Sequence, residues 1–467
     1  MASDPEGPAP ASATTESVTN VTFRSLFALR EFRAVYLSMV ISWIGDYLSR
    51  AAVTVLVYQQ TGSVLLSAVS FAVGYLPWML AGPLLASLGD RYPHRRVMVV
   101  ADLFRMVLTA LLLIPGLPPA AVLTTVLLAS LGSPPAQAAR SALLPLVVGR
   151  DRLTLAIATG STSAQAAMVF GYLVGATVAV GLDPRLALGM DVATFAVSAL
   201  LIATGVRSRP AAVAPAQRRH LLRETAEGFR VVFGQPVLRS IAVVVFAVVA
   251  FFVVPESLAA SWAAEAASGT RGLDQGLIMA AGPLGFVAGG LLFSRLVPVD
   301  RRRRLTPLLA VITPLALTPT LAAPPAAVVA VLVAVSGMAQ GALQPTLNAT
   351  FVLVLPPTHR ARAFGVMTSG MQASQFAAVL ITGTLADHFR IPLVVGLWSV
   401  AGTAAMGAVA ALWPSRERFT EAERAAVEQG AAGSAAPAQP AGPPDTPAEP
   451  NATPAAPSAT TAEHPAA

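Results

Sequence analysis

Apolar runs of about 20 residues recur along most of this chain, and they constrain its fold more than any other feature. A run of that length can cross the hydrocarbon layer of a bilayer as a helix. The runs lack the strict alternation of apolar and polar residues that a transmembrane β-barrel requires. Charged residues make up only 12% of the chain, whereas a soluble domain carries about 25%. The sequence therefore predicts an all-α membrane protein.

The apolar runs form two sets of six, separated by a central polar stretch. Residues 23–205 are predicted to form the first six-helix bundle and residues 238–415 the second, with a cytoplasmic linker at 206–237. Residues 1–22 and 416–467 are polar or rich in Ala, Pro, Gly and Thr, so we expect disordered tails there. The twelve predicted spans are residues 34–57, 64–87, 97–115, 119–140, 158–180, 186–205, 238–256, 275–297, 305–322, 326–351, 363–385 and 392–413.

Arginine marks every second connection between the predicted spans. All 31 basic residues are arginines, and the intervening connections hold at most one each. The positive-inside rule then predicts a multi-pass protein of the inner (plasma) membrane with both termini in the cytoplasm. The net charge of +7 comes from these short loops, so we do not expect nucleic-acid binding. Within the linker, residues 221–233 can form an amphipathic helix along the inner surface. Arginines cluster in residues 24–33, 91–96, 150–152, 207–230, 301–304, 360–362 and 416–418.

One basic loop is echoed in the second half of the chain. The segment from Leu76 to Arg105 reads as an apolar helix, a tight loop with one Asp and several arginines, and a second apolar helix. A weaker copy at residues 288–304 carries Asp300 followed by four arginines. Two related halves of six spans predict a pair of pseudo-symmetric bundles, as in secondary transporters built from a duplicated unit.

The loop sequence GDRYPHRR at residues 89–96 resembles the loop 2–3 motif of the major facilitator superfamily, with Pro93 where glycine is usual. Residues 43–63, 76–84, 139–148 and 190–201 are similar to the drug:proton antiporter branch of macrolide-efflux and enterobactin-export proteins. The resemblance implies the major facilitator fold. It also implies alternating access by rocking of the two bundles, a central cavity between helices 1, 4, 7 and 10, and a monomer.

The same resemblance assigns a role to the basic loop. Its charged residues would form a latch between the bundles, with two neighbours in the third span beside them. The alternative is a solvated loop that only sets the topology. In helix 5, Gly171 and Gly175 keep a spacing associated with export, although no Pro follows Gly171, and they serve either export direction or helix packing. The latch candidates are Asp90, Arg91, Arg95, Arg96, Asp102 and Arg105.

Carboxylates inside the predicted spans are candidates for carrying a proton, since ionisable groups are costly in a membrane. Asp46, near the middle of the first span, is the best of them. It either couples transport to protons, forms a permanent ion pair with Arg50 one turn away, or contacts a cationic substrate. Glu256 in the seventh span is either a second titratable site or a solvated helix end. Asp191 in the sixth span is interpreted as a structural hydrogen-bonding residue near the outer surface.

Polar and aromatic residues on the cavity helices are candidates for binding a substrate. Gln340, Gln344 and Asn348 make one polar stripe on the tenth span, which favours either substrate contact or interhelical hydrogen bonds. Trp43 and Tyr47 flank Asp46. Arg140, at the inner end of the fourth span, either gates the cytoplasmic mouth or extends to the headgroups.

Several signals are absent from the sequence. No His lies mid-span, and there is no Walker A loop, GxSxG motif or zinc-spaced His/Cys cluster. We therefore expect no enzyme activity, metal or cofactor. The predicted function is proton-coupled export of hydrophobic or cationic small molecules, such as a drug, antibiotic, siderophore or secondary metabolite, by a protein in contact with membrane lipids. The alternatives are an uptake symporter and a non-transporting receptor on the same fold.

Overall fold

The computed structural model describes residues 22–80, 92–209, 221–266, 270–355 and 359–435. Every regular element in these ranges is a helix, which confirms the predicted fold class. Nine helical segments of the described chain are long and apolar enough to cross a membrane, and the broken segment Val64–Leu80 is shorter. Each of the twelve predicted spans overlaps a helix or a short run of helices.

The described residues of the first half form nine α-helices. They are α1 (Phe23–Phe27), α2 (Arg30–Thr61), α3 (Val64–Ala72), α4 (Leu76–Leu80), α5 (His94–Leu111), α6 (Pro119–Ser130), α7 (Ser133–Val148), α8 (Arg150–Gly181) and α9 (Pro184–Gly205). A 3₁₀ turn, Val73–Tyr75, joins α3 to α4. Pro118, Pro119, Pro134 and Pro184 lie at helix starts, where the missing N–H of proline is tolerated.

In the part of the chain described after residue 220, a linker helix precedes seven further α-helices. They are α10 (Leu221–Gly234), α11 (Pro236–Glu265), α12 (Arg271–Leu296), α13 (Val299–Leu315), α14 (Ala326–Val354), α15 (Arg360–Ala386), α16 (Ile391–Ala411) and α17 (Arg416–Ala435). The predicted linker helix is confirmed as α10, and it packs on α15 through a 2.6 Å ion pair between Arg362 and Glu227. A second ion pair, Arg209 with Glu31, joins the start of the linker to α2.

The prediction of a disordered tail from residue 416 is wrong for its described part. Residues 416–435 form α17, in which Phe419, Ala422 and Ala426 are buried. These three side chains recur at helical spacing and form an apolar face against the second half. Glu423 pairs with Arg303 of α13 at 2.6 Å. Residues 1–21 and 436–467, where the remaining tails are predicted, lie outside the described residues.

The larger of two apolar clusters shared by the halves lies toward the ends of the helices that carry few arginines. It joins Ala68, Phe71 and Tyr172 of the first half to Leu258 and Val379 of the second. We call this the Arg-poor end, and the opposite end, with Arg209, Arg303 and Arg362, the Arg-rich end. The buried clusters near the Arg-rich end each belong to a single half. The halves are therefore packed together at the Arg-poor end.

A carboxylate from one half caps a helix of the other at this closed end. Asp387, which follows α15, accepts hydrogen bonds from the backbone N–H groups of Val64 at 2.6 Å and Leu65 at 3.1 Å. It also accepts one from the Ser63 hydroxyl at 3.0 Å. The first backbone N–H groups of α3 lack partners within the helix, and a negative charge there is favourable. Asp387 thus stabilises contact between the halves.

We expect Asp387→Ala to favour separation of the halves at the Arg-poor end. Loss of a charged cap costs about 1–2 kcal/mol, which changes a two-state population by roughly five- to thirtyfold. The chain has no cysteine, so nitroxide labels on Gln60→Cys and Thr384→Cys can report distances across this end by pulsed electron paramagnetic resonance. Asp183→Ala is the matched control, because Asp183 caps α9 at the same end within one half. Equal distance distributions in the two variants would show that Asp387 is only a local cap.

Candidate functional site

A polar cavity of about 270 Å³ lies inside the first half rather than between the halves. Helix α2 supplies one wall, and α5, α6 and α9 supply much of the rest. Close approach of these helices depends on small residues. Gly171 and Gly175 of α8 let the backbone of α2 approach, because a Cβ at either position would lie 2.7 Å from atoms of residues 44–48. The polar lining consists of Asp46, Tyr47, Ser49, Arg50, Ser70, Arg105, Thr109, Ser130, Ser133 and Asp191.

Asp46 of α2 forms an ion pair with Arg105 of α5 at the wall of this cavity. The Arg105 side chain is 10% exposed and that of Asp46 is 26% exposed. The guanidinium also lies over the ring of Phe195 at 4.4 Å, and the absence of a side chain at Gly132 makes room for it. The predicted alternative, a pair between Asp46 and Arg50, is therefore wrong. The acid has its partner on another helix.

Arg50 is held by aromatic rings instead. Its guanidinium lies 5.1 Å from the ring centre of Phe71, 5.5 Å from that of Tyr75 and 5.8 Å from that of Tyr47. Cation–π contacts of this kind stabilise an arginine that is withdrawn from water. They turn Arg50 away from the carboxylate one turn before it and toward the interface between the halves.

Glu256 occupies that interface from the side of the second half. The interpretation as a solvated helix end is wrong, because α11 continues nine residues beyond it and the side chain is 7% exposed. Glu256 interacts with Arg50 and faces Tyr172 of α8. Its Oε1 atom is buried without a hydrogen-bond partner. A buried, incompletely satisfied carboxyl between the halves fits the alternative of a second titratable site.

Four of the six charged residues assigned to the latch are described by the structure. Asp102 of α5 is 1% exposed and accepts a 2.6 Å hydrogen bond from Ser198 of α9. Arg105 lies one turn further into the helix, at the cavity. Both therefore belong to the interior of the first half, and their part in a latch stays a prediction. Arg95 donates to the Ala203 carbonyl and Arg96 is exposed. Asp90 and Arg91 lie outside the described residues.

A second cavity, of about 250 Å³, adjoins the first at Trp43. It lies between α2, α7 and α8. Arg140 lies over the Trp43 ring at 5.8 Å and donates to Gln137 at 3.3 Å. Arg140 is only 8% exposed, so the interpretation that it extends to the headgroups is wrong. Trp43 and Arg140 remain candidates for binding a substrate, now in the same cavity.

The polar stripe predicted on the tenth span lies on α14, outside these two cavities. Gln344 donates to Asn348 at 3.1 Å, and both are accessible. Gln340 is 6% exposed, and its Oε1 atom has no partner. The stripe therefore divides into an accessible pair and one buried amide, and its role stays a prediction.

The family model described as Major Facilitator Superfamily matches residues 35–296 and, in an overlapping second match, residues 257–455. The chain belongs to the major facilitator superfamily.

Sequence relatives of this superfamily member include efflux pumps. The chain is 29% identical to the multidrug efflux pump Tap of Mycolicibacterium fortuitum over 73% of its length and 86% of the pump. Tap of Mycobacterium tuberculosis is 28% identical over 73% of this chain and 84% of that pump. Macrolide efflux protein A of Streptococcus pyogenes is 27% identical, but the match covers only 27% of this chain and 32% of that protein.

Solved structures of other transporters share the fold at low sequence identity. The peptide transporter POT has a TM-score of 0.65 and 14% identity, over 86% of this chain and 95% of that one. The nucleoside transporter NupG has a TM-score of 0.62 and 14% identity, over 80% and 98%. These likenesses support the two-bundle architecture, which agrees with the family resemblance read from the sequence.

Sequence reasoning missed two partners in this superfamily member. Asp191 faces the same cavity as Asp46, and Ser198 binds Asp102. Asp191 is the single acidic residue in the apolar run 186–205, which marked it as unusual. Ser198 carried no comparable signal, because serine is common in membrane helices at packing positions.

Proposed function

We propose that this protein is a proton-coupled exporter of hydrophobic or cationic small molecules that works by alternating access. The observation that carries the proposal is the ion pair of Asp46 and Arg105 at a polar cavity inside the first bundle. A proton on the Asp46 carboxylate would break this ion pair. The relatives named as multidrug and macrolide efflux pumps support the direction of transport.

Proton binding would act through Arg105. A neutral Asp46 no longer compensates the charge of the guanidinium. The uncompensated charge would favour a rearrangement of α2 against α5, the helices that hold the pair. In the observed arrangement the pair is intact, which fits the deprotonated form. A proton from outside would neutralise Asp46, and its later loss to the cytoplasm would restore the pair. The cycle would exchange protons moving in for cargo moving out.

The distribution of arginines indicates which end of the protein faces the cytoplasm during this cycle. By the positive-inside rule the Arg-rich end faces the cytoplasm, with both termini on that side of the plasma membrane. The closed Arg-poor end would then face outward, and cargo would enter from the cytoplasm. We assign cargo contact to Trp43, Tyr47 and Arg140, and to the polar stripe Gln340, Gln344 and Asn348. Asp90, Arg91, Arg95 and Arg96 remain our candidates for a latch, and we expect a monomer.

Ethidium, a fluorescent hydrophobic cation, tests this function in inverted membrane vesicles. We expect vesicles that contain the protein to accumulate ethidium when their interior is acidified, and to release it when nigericin collapses the pH gradient. Vesicles from cells without the protein are the control. Accumulation that persists after nigericin would contradict proton coupling. Entry of ethidium only when the gradient is reversed would favour symport instead of export.

A further inference from the structure

Carboxyl groups outnumber arginines in the interior of the described membrane helices. Four carboxyls face the interior, and three arginines face them. Burying an uncompensated charge costs several kcal/mol, so a surplus carboxyl at this depth is neutralised most readily by a proton. The carboxyls are Asp46, Asp102, Asp191 and Glu256, and the arginines are Arg50, Arg105 and Arg140.

One ion pair and several electrostatic interactions link the three arginines to the carboxyls, and Arg105 also interacts with Asp102. Arg50 interacts with Glu256 across the interface between the halves. Arg140 interacts with Asp102, which also accepts the Ser198 hydrogen bond. Arg105 is bonded to Asp46. Asp191 is the carboxyl that remains without an arginine of its own.

Asp191 lies beside the Asp46–Arg105 pair. Helices α2 and α9 meet at Gly45, where an added Cβ would overlap the Oδ1 atom of Asp191 and the hydroxyl of Thr194. Asp46 is the next residue along α2. Asp191 is 1% exposed and interacts with both Asp46 and Arg105, and its Oδ1 atom accepts a 3.1 Å hydrogen bond from Thr194. Two carboxyls therefore face one guanidinium across the same cavity.

The other charged groups nearby do not compensate Asp191. Arg50 also lines the cavity, but its guanidinium lies among three aromatic rings and interacts with Glu256. Asp102 of α5 and Arg140 of α7 act mainly on each other, on Arg105 and on Asp46. On α8, Tyr172 faces Glu256. Serine and threonine hydroxyls also line the cavity and can hold water, which would give a proton a path to either carboxyl.

We propose that Asp46 and Asp191 share one proton around Arg105, so that the carboxyl pair, not Asp46 alone, is the proton carrier. A proton adds to one carboxylate oxygen of the pair, and the other carboxylate compensates Arg105. Its release leaves two carboxylates facing one guanidinium, so that one negative charge is uncompensated. Use of this pair in transport rests on the proposed function, whereas the sharing of a proton does not.

Infrared spectroscopy of the purified full-length protein in liposomes tests the sharing without any cargo. A protonated carboxyl has a distinct carbonyl stretch, which disappears as that group ionises. We expect a titrating band in the wild type that persists in Glu256→Gln, and the further changes are made on Glu256→Gln so that this second candidate adds no band. In Asp191→Asn, Asp46 alone faces Arg105 and stays ionised, so the band is lost. In Asp46→Asn, Asp191 faces Arg105 alone, and the band is lost again. Asp191→Glu restores a carboxyl and the band.

Each other outcome overturns the proposal in a different way. A wild-type band that survives Asp191→Asn would place the proton on another residue. A band lost in Asp191→Asn but retained in Asp46→Asn would mean that Asp191 is protonated independently of Asp46. Melting temperatures confirm that the compared variants are folded. Ethidium transport is measured separately, so a failure of proton coupling in vesicles is distinguishable from a failure of proton sharing in the protein.

Discussion

Replacing Asp46 by asparagine is expected to reduce proton-driven accumulation of ethidium to the level of vesicles without the protein. Asparagine keeps the size of the side chain and its hydrogen-bonding capacity but cannot exchange a proton. Downhill movement of ethidium should continue, because the second cavity at Trp43 and Arg140 and the contacts between the halves are untouched. The measurement compares accumulation under an inside-acidic gradient with equilibration in the absence of a gradient.

Stability measurements separate this functional role from a structural one. Asp46→Asn removes the carboxylate that is bonded to Arg105 and leaves Asp191 as the nearby acid. Removing one member of a buried pair costs about 3–5 kcal/mol. We expect the lower end of that range, since Asp46 is 26% exposed. The double variant Asp46→Asn/Arg105→Gln removes both charges, so it should melt closer to the wild type while still lacking proton-driven accumulation. Recovery of transport in the double variant would show that the pair only supports the fold.

Asp151→Asn is the matched control for the loss of an acidic residue. Asp151 lies in the first turn of α8 and is exposed. Asp151→Asn removes one negative charge, as Asp46→Asn does, but outside the cavity. An exposed carboxylate at a helix start contributes about 0.3–1 kcal/mol to stability. We expect wild-type accumulation from this variant. A comparable loss in Asp151→Asn and Asp46→Asn would mean that total charge or expression, and not the cavity, sets the rate.

The fold was predictable because the strongest constraint on it is local. A membrane requires each crossing segment to satisfy its own backbone hydrogen bonds, so the length of an apolar run alone predicts a helix. The helix over residues 416–435 shows the limit of that argument. Composition predicted disorder there. However, Phe419, Ala422 and Ala426 share one face of the helix, and their packing stabilises it, which composition alone does not show.

Partners within the candidate site were less predictable, because they depend on which helices are neighbours. Asp46 and Arg50 are one turn apart, and a purely local argument pairs them. The structure instead pairs Asp46 with Arg105, 59 residues away, and turns Arg50 toward Phe71 and Tyr75. A sequence shows that a buried charge needs compensation, but it does not show which helix supplies it.

The second large effect that we expect is a loss of stability when a glycine between α12 and α14 is replaced. The two helices pack with backbone against backbone through Gly285 and Gly289 on one side and Gly337 and Gly341 on the other. A Cβ on Gly285 would overlap the carbonyl oxygen of Ala334, and one on Gly341 would overlap that of Phe286. Small residues four apart permit such close approach in membranes, where packing replaces the hydrophobic effect as the driving force.

Gly285→Ala is therefore expected to destabilise the second half, although alanine is the better helix former. A backbone carbonyl cannot rotate away as a side chain can, so the helices have to separate, and overpacking of this kind costs about 1–3 kcal/mol. Gly407→Ala in α16 is the matched control, since a Cβ there meets nothing within 4 Å. Both changes bring the same gain in helix propensity, about 1 kcal/mol, so their difference isolates the contact. Melting of the purified proteins, followed by tryptophan fluorescence, should rank Gly285→Ala below the wild type and Gly407→Ala at or above it. If the two variants melt together, α12 and α14 are not in close contact in the membrane protein.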